Sequence, residues 1–156
     1  ERRKRRHRRK RRSCRCSVRR MQKILEEDLP YDLNQPVIDL DTYAYGIWYL
    51  DAMDNLSRYI GKTIKFKAMV LRPKDGSTDY FVPGRMAMTC CAEDMAFLGY
   101  ACKYDKSTEL TNKEWVEVTA TVHQEFWKDY NGEGPVLHAV SVVPTKKPKD
   151  EVVSFN

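Results

Sequence analysis

The sequence predicts a mainly β fold with short helices, a small OB-like mixed barrel, and three observations carry that prediction. Across residues 63–71, Ile64, Phe66, Ala68 and Val70 alternate with Thr63, Lys65, Lys67 and Met69, and period two is the mark of a strand. Across residues 115–124, Val116, Val118, Ala120 and Val122 alternate in the same way with Glu117, Thr119 and Thr121. Tyr49, Met53, Leu56 and Ile60 recur at spacings of four and three, which adds one helix. About five or six strands with one long and one short helix match the five-stranded OB type. A chain of this size buries roughly two-thirds of its unfolded surface, enough to fold without metal or disulfides.

Taken in order, residues 1–20 hold Val18 as their one large aliphatic side chain and are expected to be a disordered Arg/Lys-rich tail. Residues 21–36 read as a short helix over Met21 to Leu29 followed by a linker made extended by Pro30 and Pro36. The barrel domain is expected over 37–148. Val37 to Leu40 form its first strand, and Asp41 or Thr42 caps the helix that Gly61 ends in a left-handed turn. After the strand at 63–71, Pro73 to Thr78 make a turn. Tyr80 to Cys90 continue as a strand interrupted by Pro83 and Gly84, and Ala92 to Leu98 are expected as a short helix closed by Gly99. Tyr100 to Tyr104, Trp115 to Gln124 and Val136 to Val143 supply further strands, with a turn at Tyr130 to Pro135. Residues 149–156 read as a polar C-terminal tail.

Charge divides the chain. Residues 1–20 hold 13 of the 28 basic residues and one of the 22 acidic ones, a net of +12, so the overall +6 leaves the rest of the chain at −6. The folded part is therefore acidic, and nucleic acid is disfavoured as its partner. No apolar run approaches the roughly 20 residues of a membrane-spanning helix, and no signal peptide is recognisable. A chain that starts at Glu1 reads as a fragment or a processed product. Five cysteines, two in the tail and three in the body, define no complete disulfide framework.

The most specific local feature is Arg85-Met86-Ala87-Met88-Thr89-Cys90-Cys91-Ala92-Glu93-Asp94, two adjacent cysteines at a strand-to-helix junction with a carboxylate three residues on. A thiol at a helix N-terminus meets free N–H groups that favour the thiolate. Cys91 and Asp94 would then share a helix face. Cys90, Cys91 and Asp94 are thus candidate metal or ligand residues, with Cys102 or His138 completing the set, although Cys102 reads more readily as a core residue, and zinc is the ion such donors suit. Three readings stand side by side: buried small hydrophobes beside Met86 and Met88, a metal or ligand site, and a thiol redox pair. On a regular strand Cys90 and Cys91 face opposite sides, so shared ligation needs a bend. His123 and His138 serve either as hydrogen-bonding groups at strand edges or as a fourth ligand. Arg85 binds an anion or, as the plainer alternative, a neighbouring carboxylate. Tyr43, Tyr45, Trp48 and Tyr49 form a stacking platform only if a basic groove lies beside them, and core packing explains them better. Glu117 and Glu125 have no partner visible in sequence, so no acid–base pair is expected. No phosphate loop, nucleophile elbow or HExxH pair is present, and the chain is not expected to be an enzyme.

Tyr59-Ile60-Gly61-Lys62, the strand to Val70, Phe81-Val82, the Arg85 to Asp94 segment, Trp115-Val116-Glu117-Val118 and Val142-Val143-Pro144 together resemble the C-terminal soluble domain of the YcgQ-type permease-subunit family of bacterial membrane proteins. The resemblance covers about Val37 to Pro148, and its most specific element is the double cysteine followed by Asp94. Glu93 stands where that pattern more usually has a small residue. The resemblance implies an accessory domain beside a membrane permease, membrane-associated in a bacterial cell, with membrane helices upstream. A histidine-rich stretch often found in that family is replaced here by the Arg-rich tail with His7. The tail would bind an anionic membrane surface, which places the domain on the cytoplasmic face. The function expected is therefore that of a soluble accessory domain with a Cys-Cys-x-x-Asp site for a metal ion or small ligand. A nucleic-acid-binding OB module with an Arg-rich arm and a thiol redox protein are the alternatives.

Overall fold

Chain order begins with β1 (Ile38–Leu40), α1 (Thr42–Asp54), β2 (Thr63–Leu71), β3 (Tyr80–Met88) and β4 (Met95–Gly99). Then follow β5 (Cys102–Lys103), β6 (Trp115–Trp127), β7 (Gly132–Pro144) and β8 (Val153–Ser154). The structure is a computed structural model that describes residues 25–88 and 95–154.

Five strands close a ring. β2 pairs with β6, β6 with β7, β7 with β5, β5 with β3, and β3 returns to β2 through Val82, Pro83 and Gly84. In chain order as first to fifth, the ring reads first, second, third, fifth, fourth, a Greek-key closure of OB type that removes most open edges. The sheet is mixed, because β5–β7 runs parallel, as do β1 beside β2 and β8 beside β3. The ring closes because its inner face is continuously apolar. Val116, Val118, Ala120 and Val122 of β6 and Ile64, Phe66, Ala68 and Val70 of β2 are all 1% exposed or less. The alternation read from the sequence is the alternation of the barrel wall.

β3 serves four partners in nine residues, with β8 beside Ala87 and Met88 as the fourth. Tyr80 and Phe81 pair with β5, the middle pairs with β2, and Gly84 to Met88 pair with β4. Gly84 and Gly99 lie opposite each other, and a Cβ on Gly84 would meet the Leu98 carbonyl oxygen at 2.3 Å, so the crossing requires a glycine. This pairing also overrides the helix expected over Ala92 to Leu98: Met95–Gly99 is a strand, because its backbone completes the edge of β3. Ala92 to Asp94 lie outside the described residues.

Asp41 caps α1 by accepting from the Ala44 N–H at 2.8 Å. The buried stripe differs from the expected one. Tyr45, Trp48 and Ala52 face the core, whereas Met53 is 56% and Ile60 46% exposed. Both stripes have helical spacing, and the one with larger rings wins, since Tyr45 and Trp48 pack on Phe66 with centroids at 5.1 and 5.9 Å. The helix stops at Asn55 and not at Gly61, which takes φ +81° in the turn beyond. No helix among the described residues is long and apolar enough to cross a membrane.

Both chain ends of the described body are tied down. Of the helix expected at Met21 to Leu29, the described residues hold one helical turn, Glu26–Asp28. The linker after it docks through Tyr31 and Tyr59, whose hydroxyls are 2.6 Å apart, and through Lys62 Nζ, which donates to the Leu33 carbonyl. In the segment read as a polar tail, Val153 is 1% exposed and pairs beside Ala87.

Candidate metal site on the outer face of the barrel

The pleat that turns Val122 inward turns His123 and Glu125 outward on β6. His138 of β7 is the Cα partner of Thr121, in phase with His123, so it faces the same side. On its other flank His138 pairs with Lys103 of β5. Three adjacent strands therefore bring two imidazoles, a carboxylate and an ammonium to one patch. One ligand atom from each of His123, Glu125 and His138 lies within 4.8 Å of the others, the spacing that a single ion spans.

Hydrogen bonds fix these groups. His138 Nε2 donates to Glu125 Oε2, because an ionised carboxylate only accepts. Glu125 Oε1 accepts from Lys103 Nζ at 2.5 Å. His123 Nε2 lies 2.8 Å from Thr121 Oγ1, and the two imidazoles stack with centroids 3.8 Å apart. The His138 side chain is 40% and the Glu125 side chain 28% exposed, so an ion has access from solvent. Loss of water, with His138 adding to it, holds His123 below the usual histidine range, a direction that favours the neutral, ligating form. The bond from Lys103 is the main reason that Glu125 stays below the usual carboxylate range.

This arrangement suits a cation better than acyl transfer. Thr121 and His123 form a hydroxyl–imidazole pair, but Glu125 engages His138 and not His123, so the carboxylate that would orient a catalytic base is on the wrong ring. Two imidazoles and one carboxylate are a donor set for zinc or another first-row divalent ion with positions left open.

The residues singled out from sequence separate sharply. Cys90, Cys91 and Asp94 lie outside the described residues. Cys102 is fully buried opposite Leu137, on the inner face, while His138 is on the outer one, so these two cannot complete one coordination sphere. Burial also pushes the Cys102 thiol far up, away from the ligating thiolate. Arg85 is 2% exposed, and among the described residues it forms no ion pair with a carboxylate side chain. Its Nε donates to the Lys67 carbonyl at 2.8 Å, its Nη1 to Thr42 Oγ1 at 2.7 Å and to the Asp150 carbonyl at 3.0 Å, and the guanidinium sits over the Trp115 ring. The cavity beside it, about 540 Å³, is lined by Asp39, Asp41, Glu117 and Asp150 against Lys67 and Arg85, a charge balance that repels an anion. Tyr45 and Trp48 are core residues, as packing alone explains.

Glu125 is the candidate ligand that sequence reasoning passed over. Its signal was the His-x-Glu spacing on an outward strand face; its partner His138 follows only from the hairpin register.

The family described as the DUF1980 C-terminal domain matches residues 17–154 of this chain. The chain is similar to the UPF0703 protein YcgQ of Bacillus subtilis (strain 168), at 21% identity over 109 residues that make up 67% of this chain and 38% of that protein. It thus spans well under half the length of the curated relative it matches. Among solved structures, RecJ of Thermus thermophilus in complex with Mn2+ is 14% identical over 55% of this chain and 11% of that one, with a TM-score of 0.34. Entamoeba histolytica asparaginyl-tRNA synthetase in complex with asparaginyl-adenylate is 12% identical over 74% and 25%, with a TM-score of 0.38. At such scores these two likenesses carry no argument, and the barrel rests on its own topology.

Proposed function

This chain belongs to the DUF1980 C-terminal domain family, and on that footing we propose that it is the accessory domain of a YcgQ-type bacterial membrane protein, one that holds a divalent first-row metal ion at His123, Glu125 and His138. The observation that carries the metal reading is the convergence of three ligand atoms from β6 and β7 within 4.8 Å. Partial exposure and open coordination positions favour an ion that is taken up and handed on over one that staples the fold, which already has a full apolar core. The domain acts without catalysis in this reading, beside a permease. The basic run of residues 1–20 holds it to the anionic cytoplasmic leaflet, with each Lys or Arg adding about 1 kcal/mol near the surface.

Calorimetric titration with zinc tests the site. Wild type should bind one ion, and His123→Ala and His138→Ala should each lose more than the roughly 10- to 100-fold that removal of an outer-shell partner costs. Binding that survives both substitutions would sink the assignment. The anchor is tested separately: removal of residues 1–20 should abolish salt-sensitive sedimentation with anionic vesicles, and unchanged sedimentation rejects it.

A further inference from the structure

Glu125 shares its two oxygens between neighbours: Oε2 meets His138, and Oε1 meets the Lys103 ammonium at 2.5 Å. A carboxylate that ligates a metal is held by outer-shell hydrogen bonds, and orientation by itself needs a hydrogen bond and not a charge. Lys103 supplies the bond with a full positive charge beside the place where a dication would sit. An ammonium has no lone pair and cannot join the coordination sphere. As a cation it competes with the ion for the same carboxylate.

The backbone and side chain of Lys103 also differ in freedom. Cys102, its neighbour on β5, is fully buried, and β5 is held between β3 and β7, so the Lys103 backbone is fixed. Its side chain is 43% exposed on a flexible stem and can swing clear. We propose that Lys103 is a resident counter-cation that occupies Glu125 in the empty site and weakens metal binding there, so that the ion remains exchangeable. This rests on the metal reading given above.

The test compares zinc binding by wild type, Lys103→Met and Lys103→Arg, with near-UV circular dichroism to show that each retains its fold. Removing a unit charge close to a dication in a partly solvated setting should tighten binding about tenfold in Lys103→Met. Lys103→Arg, which keeps the charge, should stay close to wild type. The gap between wild type and Lys103→Met should narrow as salt rises, since the repulsion is exposed to screening. Unchanged or weaker binding by Lys103→Met would make Lys103 a positioning residue and overturn the inference while leaving the metal site standing. If neither wild type nor Lys103→Met binds zinc, the metal reading fails and this inference with it.

Discussion

At Val122, His123 and Glu125 a single strand answers two demands, because the period of two that sends the valine into the core sends its polar neighbours out together. Cys102 and Lys103 repeat the division on β5, with the thiol inside and the ammonium outside. The fate of Cys102 is therefore set by packing. It sits in the core cluster, and burial keeps its thiol protonated. Cys102→Ser should cost about 1–3 kcal/mol, since a hydroxyl is costlier than a thiol to bury in this apolar core even beside the Ala139 backbone that meets the sulfur. Alkylation followed by mass spectrometry should find Cys102 unlabelled until denaturant unfolds the protein; native labelling as fast as in the unfolded chain would contradict its burial. On β6 the direction of facing was legible in the sequence, from the alternation that turns Val122 inward. What was not legible is who meets whom, because the contact of Glu125 with His138 depends on the β6–β7 register and that with Lys103 on the insertion of β5 beside β7.

Among the elements, long strands with strict alternation were readable and short ones that exist only through a partner were not. β2 matches its expected bounds, and β6 and β7 extend the expected ones into a hairpin whose turn uses Asn131 at φ +56°. β4 and β8 have no comparable pattern: each is drawn into strand form by the exposed edges of β3, and β8 contributes a single core residue, Val153. Arg85 explains how so short an element stays in place. Its Nη1 holds the Asp150 carbonyl, which also accepts from Thr42 Oγ1, so the segment leading into β8 is pinned to β3 and to the first turn of α1. Arg85→Met should lower stability by about 2–4 kcal/mol, because the carbonyls of Lys67 and Asp150 lose a charged donor. Hydrogen exchange should show residues 150–154 opening first. Ending the chain at residue 148 should cost a similar amount, and the two changes together should cost much less than their sum. Full additivity in denaturant titrations would show that Arg85 and the C-terminal segment act separately.

Over the whole molecule, the barrel closes around an aromatic seam, and several of its tyrosine hydroxyls are spent on the fold. The Tyr45 hydroxyl donates to the Leu98 carbonyl and that of Tyr100 to the Tyr49 carbonyl, linking α1 to the strands. Tyr130 accepts from the Ala101 N–H, donates to the Pro135 carbonyl, and lies so close to Gly134 that a Cβ there would meet its ring at 2.9 Å. Burial is the leading cause that raises Tyr31, Tyr45, Tyr59, Tyr100 and Tyr130 above the usual phenol value, and Tyr130 is pushed up to about 12 from 10.0. The folded state thus binds these protons more tightly than the unfolded chain does. For Tyr130 the resulting stability is complete below pH 10.0 and drains away as pH rises towards about 12, while the unfolded phenol has already ionised. The other four act in the same direction. Since several phenols are released by one event, alkaline titration should produce phenolate absorbance in a single cooperative step that coincides with loss of near-UV circular dichroism. Gradual ionisation of all the tyrosines near the ordinary value, with the near-UV signal intact, would mean that the hydroxyls are not held as the barrel holds them.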